Sequence, residues 1–300
     1  MQHTPLNEQV IVVTGASSGI GLCTALLAAQ RGAQVVLLAR SEVLDGIVDD
    51  IRSEGGRAEA IRVDVSDRDA VEAAARDVVE RHGRIDTWVN NAGVSIYGRL
   101  VDVSEADNRR LFDTNFWGVV NGSLAALPRL QASRGVLVNL GSEVSDAALP
   151  LQGMYTASKH AVKGFTDALR VEQERVDDQP VSIVLIQPTA VNTPYPQNAR
   201  NYLAHEPKLP SPLIDPHRVA EAILDAAEKG GREIKVGALA HVNTTLFKLL
   251  PRLAERMTSK QATRQEHDLA PRDPDGALFK PGERGHVYGV DGDGRIASDI

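Results

Sequence analysis

Tyr155 and Lys159 lie four residues apart in the stretch Tyr155-Thr156-Ala157-Ser158-Lys159, and Ser142 precedes the tyrosine by thirteen positions. On a helix, positions i and i+4 share a face, so this spacing sets a phenol beside an ammonium. A fixed positive charge favours the phenolate and predicts a phenol pKa below its ordinary value of about 10. Such a phenol can give or take a proton near neutral pH, as reversible interconversion of a carbonyl and an alcohol requires. Tyr and Lys four apart are also common on solvated helix faces, so the pair needs support from the elements around it.

That support begins upstream. Val10 to Thr14 reads as a buried strand and runs straight into Gly15-Ala16-Ser17-Ser18-Gly19-Ile20-Gly21, which opens a helical pattern reaching about Arg31. Glycines between a buried strand and a helix give a tight bend and let backbone amides approach a pyrophosphate at the helix N-terminus. The next strand, Gln34 to Ala39, decides which dinucleotide fits. An acidic residue at its end would bind a ribose 2′-hydroxyl, whereas an arginine accommodates a 2′-phosphate. Here Ala39 takes the acidic place and Arg40 and Ser41 follow, which predicts NADP(H) over NAD(H).

Strand and helix patterns alternate onward. Helices are expected to about Ser53, from Ser66, from Ser104 with Asp107 at the capping-box position, and over Met154 to Val176. Strands are expected at Ala58 to Val63, Asp86 to Asn90, Val136 to Leu140 and Val181 to Gln187. Strands apolar on both faces imply an α/β fold, a three-layer doubly wound parallel sheet of Rossmann-like type. Pro188 to Pro216 holds seven prolines and reads as loop, with a short helix near Gln197 to Ala204. Pro216 to Lys229 reads as a helix and Arg232 to Val236 as a seventh strand. Residues 1–240 then form the dinucleotide-binding and catalytic domain, and 241–300 a C-terminal extension rather than a domain of its own. That extension holds an amphipathic helix over Thr244 to Met257, interrupted by Pro251, and from 260 onward a polar tail with no core.

Composition excludes several classes. With 33 basic and 40 acidic residues the net charge is -7, and no basic stripe with interleaved aromatics suggests nucleic acid. The single cysteine, Cys23, cannot form an internal disulfide and reads as a small core residue. The first nine residues carry no signal-peptide core and no run approaches a membrane span, so a cytoplasmic location is expected. No metal-ligand cluster stands out. Asp291-Gly292-Asp293-Gly294 lacks the remaining ligands of a calcium loop and reads as turn sequence.

Taken in order, these residues resemble the short-chain dehydrogenase/reductase family in its compact, non-extended form, over roughly residues 8–193 and on to about 237. Thr14-Gly15-x-x-x-Gly19-Ile20-Gly21 resembles its cofactor turn, Asp64-Val65 its adenine contacts, and Asn90-Asn91-Ala92-Gly93 the motif that ends its fourth strand. Asn115 falls where the family keeps a catalytic asparagine, and Gly141-Ser142 where it keeps a substrate-binding serine. Tyr155-x-Ala157-Ser158-Lys159 is similar to its catalytic helix signature. Pro188-Thr189-Ala190-Val191-Asn192-Thr193 resembles the segment that holds the nicotinamide amide through Pro188, Val191 and Thr193, with Thr189 where glycine is usual.

The resemblance implies an oxidoreductase in which Tyr155 is the acid or base. Lys159 would tune it and bind the nicotinamide ribose, Ser142 would donate to the carbonyl oxygen, and Asn115 would hold a water leading from Lys159 to solvent. It also implies a homodimer or homotetramer built on the helices near Ser104 and Met154. A rival of another class is a sensor or scaffold that binds NADP(H) without chemistry, although such a protein has no need for all four catalytic residues. Substrate walls are expected from Glu143 to Leu151 and from Tyr195, Tyr202 and Leu203. Apart from Arg200 they offer no arginine for an anion, which favours a neutral, partly apolar carbonyl or alcohol. The amphipathic stretch admits three readings: packing on its own domain or a second subunit, a lid on the substrate pocket, or, least favoured, contact with a membrane surface.

Overall fold

The computed structural model describes residues 3–282 and 285–290. Its first half repeats strand and helix: β1 (Val10–Thr14), α1 (Gly19–Gln30), β2 (Gln34–Ala39), α2 (Val43–Ser53), β3 (Arg57–Arg62), α3 (Arg68–His82) and β4 (Thr87–Asn90). A two-residue strand β5 (Ile96–Tyr97), α4 (Glu105–Phe112), α5 (Gly118–Ser133), β6 (Val136–Leu140) and α6 (Gly153–Val171) follow. The last third holds β7 (Ser182–Pro188), β8 (Arg200–Asn201), α7 (Pro216–Lys229), β9 (Glu233–Val236), α8 (Ala238–Leu249) and α9 (Pro251–Ser259).

Seven strands pair in parallel in the order β3-β2-β1-β4-β6-β7-β9. Alternate residues of each strand point to opposite faces, and both faces are covered. Ile11, Val13, Val35, Leu37, Val138 and Ile186 pack with α1, α2 and α7. Val10, Val12, Val36, Leu38, Trp88 and Leu137 pack with α3, α5 and the C-terminal end of α6. Each such side chain contributes about 1.5–3 kcal/mol on burial, so a run such as Val10–Val13 resists any shift of register. The chain order reverses between β1 and β4, and the crevice beyond their carboxyl ends is where a doubly wound sheet binds its ligand.

Several local expectations shift. The helix expected from Ser66 begins at Arg68, because Asp67 rather than Ser66 is its cap and accepts the Ala70 amide. Ser66 instead hydrogen-bonds Asp64 through its amide and hydroxyl. Ser104 does cap α4 through the Asp107 amide, but the Asp107 carboxylate turns away to Arg200 and Tyr202. The last five residues of the Met154–Val176 pattern wind as a π-helical turn, Glu172–Val176. No helix forms near Gln197 to Ala204. There Arg200–Asn201 pairs with Ile96–Tyr97 as a small second sheet, tethering the proline-rich segment to the loop after β4. The amphipathic stretch is two helices broken at Pro251, and the first starts at Ala238, well before Thr244. Cys23 is buried as expected, and burial followed by Asp215 and Glu221 pushes its thiol up to about 12.

The polar tail is the larger surprise. It lacks a core of its own but is seated on the domain: Leu278 is fully buried with Val94, Ile96 and Leu111, and Gln265 is fully buried as well. Arg272 pairs with Glu206, and the Asn201 amide donates to the Pro274 carbonyl. Asp291–Gly294 lies outside the described residues.

Under the crevice a buried polar network ties the central strands to α5 and α6. Asn139 accepts from Asn90 Nδ2 at 2.8 Å and donates to Thr166 Oγ1 at 3.0 Å, while Asn90 also reaches Ser123. Buried amides without partners cost about 1–3 kcal/mol each. Asn139→Ala should therefore lower the free energy of unfolding by about 2–4 kcal/mol in a urea titration, since it combines a cavity with lost partners. A change under about 0.5 kcal/mol would mean that the network relaxes freely.

Candidate active site

The crevice holds one continuous cavity of about 280 Å³ that runs from Gly15 and Arg40 to Tyr155 and Thr193. Its first wall is the turn between β1 and α1. Gly15 and Gly19 have φ of +66° and +56°, a region that favours glycine. The turn also lies hard against the end of β4: a Cβ on Gly15 would meet Ala92 Cα at 2.7 Å, and one on Gly21 would meet Asn91 Nδ2 and Gly15 O, both at 2.4 Å. Thr14 Oγ1 accepts from the amides of Asn91 and Ala92, and Asn91 Nδ2 donates to the carbonyls of Thr14 and Gly15. These bonds hold the Asn90-Asn91-Ala92-Gly93 segment against the turn.

Ser17, Ser18, Gly19, Ile20, Arg40, Ser41, Asp64, Val65, Asn91, Ala92, Gly93, Pro188, Val191 and Thr193 all line the cavity, together with Ser142, Tyr155 and Lys159. Gly21 and Asn115 are not among the lining residues. The chemistry of this chain of groups fits a dinucleotide: a glycine turn at the N-terminus of α1, then a trough leading to Ser142, Tyr155 and Lys159. Asp64 carries its charge at the far end. Burial pushes its carboxyl up, but the Ser66 amide, Arg110 and the Ser66 hydroxyl outweigh it and hold the pKa below the usual range. Thr189, where glycine was expected, is accommodated by Gly237 at φ +97°, since a Cβ there would meet the threonine methyl at 2.6 Å.

At the other end the catalytic candidates converge. Ser142 ends β6 in extended backbone, and Ser145 Oγ accepts its amide hydrogen. Tyr155, in the first turn of α6, has the Tyr195 and Ser142 hydroxyls beside it, and both draw its pKa down. Lys159 is almost fully buried one turn further on, where its Nζ donates to Leu140 O at 2.7 Å and lies 5.7 Å from the centroid of the Tyr155 ring. Desolvation alone lowers the lysine to about 8. The expected fall in the phenol pKa is not what this geometry gives. Burial pushes Tyr155 up to about 12, with the hydrogen bonds from Tyr195 and Ser142 pulling down and nearby Glu143 adding a smaller upward push. The i, i+4 spacing is right, but the ammonium is directed at a carbonyl rather than at the phenolic oxygen.

Asn115 sits fully buried in a π-helical turn, Asp113–Trp117, between α4 and α5. Such turns often mark functional positions. Its side chain accepts from the Val94 amide, donates to Val94 O and reaches Ser158 Oγ, so it ties the loop after β4 to α6. None of these bonds is to Lys159.

Of the expected substrate walls, Glu143, Val144, Ala147, Ala148, Leu149 and Tyr195 face the cavity. Tyr202 and Leu203 are not among its lining residues. The Tyr202 hydroxyl bonds Asp107, and Arg200 pairs with Asp107 and stacks over the Tyr202 ring, so that arginine is structural. Sequence reasoning missed Ser95, Gln152, Leu209, Pro210, Thr258 and Gln261, and it covered Phe247 only through one of three readings of the amphipathic stretch. Phe247 of α8, Thr258 of α9 and Gln261 just beyond it line the cavity.

Comparison with known proteins agrees with this geometry. The family model of short chain dehydrogenases matches residues 9–203, so the chain belongs to that family of oxidoreductases. The uncharacterized oxidoreductase YxnA of Bacillus subtilis is 40% identical over 291 residues, covering 95% of this chain and 82% of that protein. A 3-ketodihydrosphingosine reductase of Bacteroides thetaiotaomicron is 35% identical over 195 residues, 64% of this chain and 68% of that one. Among solved structures, a short chain dehydrogenase/reductase of Burkholderia phymatum in complex with NAD superposes with a TM-score of 0.74 at 25% identity, covering 90% of this chain and 99% of that one. An alcohol dehydrogenase of the archaeon Thermococcus sibiricus complexed with 5-hydroxy-NADP gives 0.66 at 28%, covering 76% and 94%.

Tyr195 is the group beside Tyr155 that no motif announces. Its ring meets the Tyr155 ring edge-on at 5.3 Å, and its hydroxyl lies 2.7 Å from Ser95 Oγ and 2.8 Å from Gln152 Oε1. Gln152 in turn donates to Gln265 of the C-terminal segment. Tyr195→Phe removes a neighbouring hydroxyl that draws the Tyr155 pKa down. The Tyr155 ionisation, followed by NMR of labelled tyrosine carbons, should move to higher pH. An unchanged or lower midpoint would show that the two hydroxyls are uncoupled.

Proposed function

We propose that the protein interconverts a neutral, partly apolar ketone or aldehyde with its alcohol, using a nicotinamide dinucleotide with NADP(H) preferred over NAD(H). The convergence of Ser142, Tyr155 and Lys159 at one end of the cavity, in line with the glycine turn at the other, carries this reading. When bound, the cofactor supplies or accepts the hydride. Ser142 and Tyr155 hydrogen-bond the substrate oxygen, and this stabilises charge as it develops there. Tyr155 donates its proton in reduction and takes one in oxidation. Lys159, deep behind it, would hold the cofactor ribose and feed the proton path.

The NADP(H) preference rests on the absence of a carboxylate at positions 39–41 and on the Arg40 guanidinium lining that end of the cleft. The substrate reading rests on walls of Val94, Val144, Ala147, Leu149, Pro210 and Phe247. Beside them the Glu143 carboxyl, raised by burial against the hydrogen bonds from Asn243 and Thr189, makes a poor neighbour for an anion. A homodimer or homotetramer and a cytoplasmic location complete the proposal. Among the described residues no helix is long and apolar enough to cross a membrane.

The test is NADPH oxidation over a panel of ketones and aldehydes, with Tyr155→Phe alongside. That variant should keep NADPH affinity and lose turnover by about 10²–10⁴. Full activity would sink the mechanism, and tight NADPH binding without turnover on any substrate would favour a sensor. The pH profile follows from the two shifted groups. With the phenol near 12 and the lysine near 8, the free protein holds a protonated phenol at neutral pH. Carbonyl reduction should therefore be flat from pH 6 to about 8, whereas kcat/KM for alcohol oxidation should rise from pH 7 to 10 as protons leave the pair. An oxidation profile that is flat over that range would contradict these assignments.

A further inference from the structure

The C-terminal segment crosses the cofactor end of the cavity. Ala277, Pro281 and Gly282 share its wall with Arg40, Asp64 and the glycine turn. The Ala277 amide donates to Asn198 O, Arg110 Nε donates to Leu278 O, and the Gly19 amide donates to His286 O at 2.9 Å. Tyr288 Oη reaches the Asp215 carboxylate at 3.3 Å. The segment roofs the cleft between β2 and the loop after β7.

Arg40 is the fastening. Its NH2 group donates to the carbonyls of Ala277 at 2.6 Å and Lys280 at 2.9 Å, and its NH1 group to those of Leu278 at 3.4 Å and Phe279 at 3.3 Å. A guanidinium has five N–H donors, and four face these carbonyls, which leaves Nε–H. The same NH1 lies 3.8 Å from the Asp64 carboxylate. A phosphate needs those donors for its own charge-assisted bonds and is repelled by both the carboxylate and the carbonyl lone pairs. A ribose hydroxyl has no such conflict, since it can donate to a carbonyl or a carboxylate.

We propose that residues 277–280 are a specificity element of the cofactor site, competing through their carbonyls with a ribose 2′-phosphate for Arg40. This rests on the dinucleotide reading above and refines it. The preference for NADP(H) is the net of what the arginine gains from phosphate and what it gives up in the strap. A bound NADP(H) loosens the strap, and a bound NAD(H) leaves it fastened.

Gly276 offers a handle outside the cofactor contacts. It has φ +53°, and a Cβ there would meet Ala199 O at 2.4 Å, so Gly276→Ala dislodges the start of the strap. In the full-length protein, calorimetric Kd values for NADP⁺ and NAD⁺ should show the NADP⁺ preference of Gly276→Ala raised about tenfold over the parent. On an Arg40→Ala background the same change should leave the preference within about twofold, because the contested donor is gone. Hydrogen exchange of the 277–282 amides should speed up with NADP⁺ and not with NAD⁺. A preference that Gly276→Ala leaves unchanged or turns towards NAD⁺, or equal protection of 277–282 by both dinucleotides, would overturn the proposal. A parent protein that binds neither dinucleotide would remove the cofactor reading and this one together. Binding of both without turnover would count against the catalytic reading and leave the competition standing.

Discussion

The site depends on how closely the glycine turn after β1 lies against the end of β4. No side chain fits between Gly15 and Ala92, or between Gly21 and Asn91, and Thr14 Oγ1 fastens the two segments by accepting two amides. This contact fixes the first turn of α1, whose leading amide at Gly19 donates to His286 O, relative to the strand whose extension runs on to Ser95 beside Tyr195. A shift of an ångström here would misalign the dinucleotide trough with Ser142 and Tyr155. Hydride transfer tolerates little error in such alignment.

Behind that contact the sheet works as a rigid frame. Strands buried on both faces hold register strongly, so the ends of β1, β4, β6 and β7 present Gly15, Asn91, Ser142 and Pro188 in a fixed row. The buried amides of Asn90 and Asn139 extend the frame into α5 and α6, and α6 carries both Tyr155 and Lys159. Asn115 links α6 to the loop after β4 from the other side. Ser142, Tyr155 and Lys159 are therefore held by elements that cannot move independently.

The chemistry of the site differs from the simplest picture of a lysine-tuned phenol. Both ionisable groups are buried, and burial disfavours each charged form, so the phenol rises and the ammonium falls. Hydrogen bonds from Ser142 and Tyr195 draw the phenol back part of the way. Tyr195 is in turn held through Gln152 to Gln265, so the C-terminal segment reaches the catalytic end of the cavity as well as the cofactor end.

Much was legible in the sequence because it is written in short-range pattern. The Val10–Thr14 run, the glycine spacing and the i, i+4 pair identified the sheet, the turn and the helix carrying Tyr155 and Lys159, since strand period, turn sterics and helix period are local properties. The family resemblance ordered those pieces, and the match over residues 9–203 agrees with it. What the tertiary structure alone decided lies where distant segments meet. The direction of the Tyr155 shift is set by burial, and Tyr195 only limits it; spacing encodes neither. Arg200, which a sequence reading could offer to an anion, is committed to Asp107 across the fold. The polar tail has no core pattern because it borrows one, placing Leu278 among Val94, Ile96 and Leu111. Its backbone carbonyls, which no side-chain pattern reveals, then take the arginine that the sequence alone would assign to a phosphate.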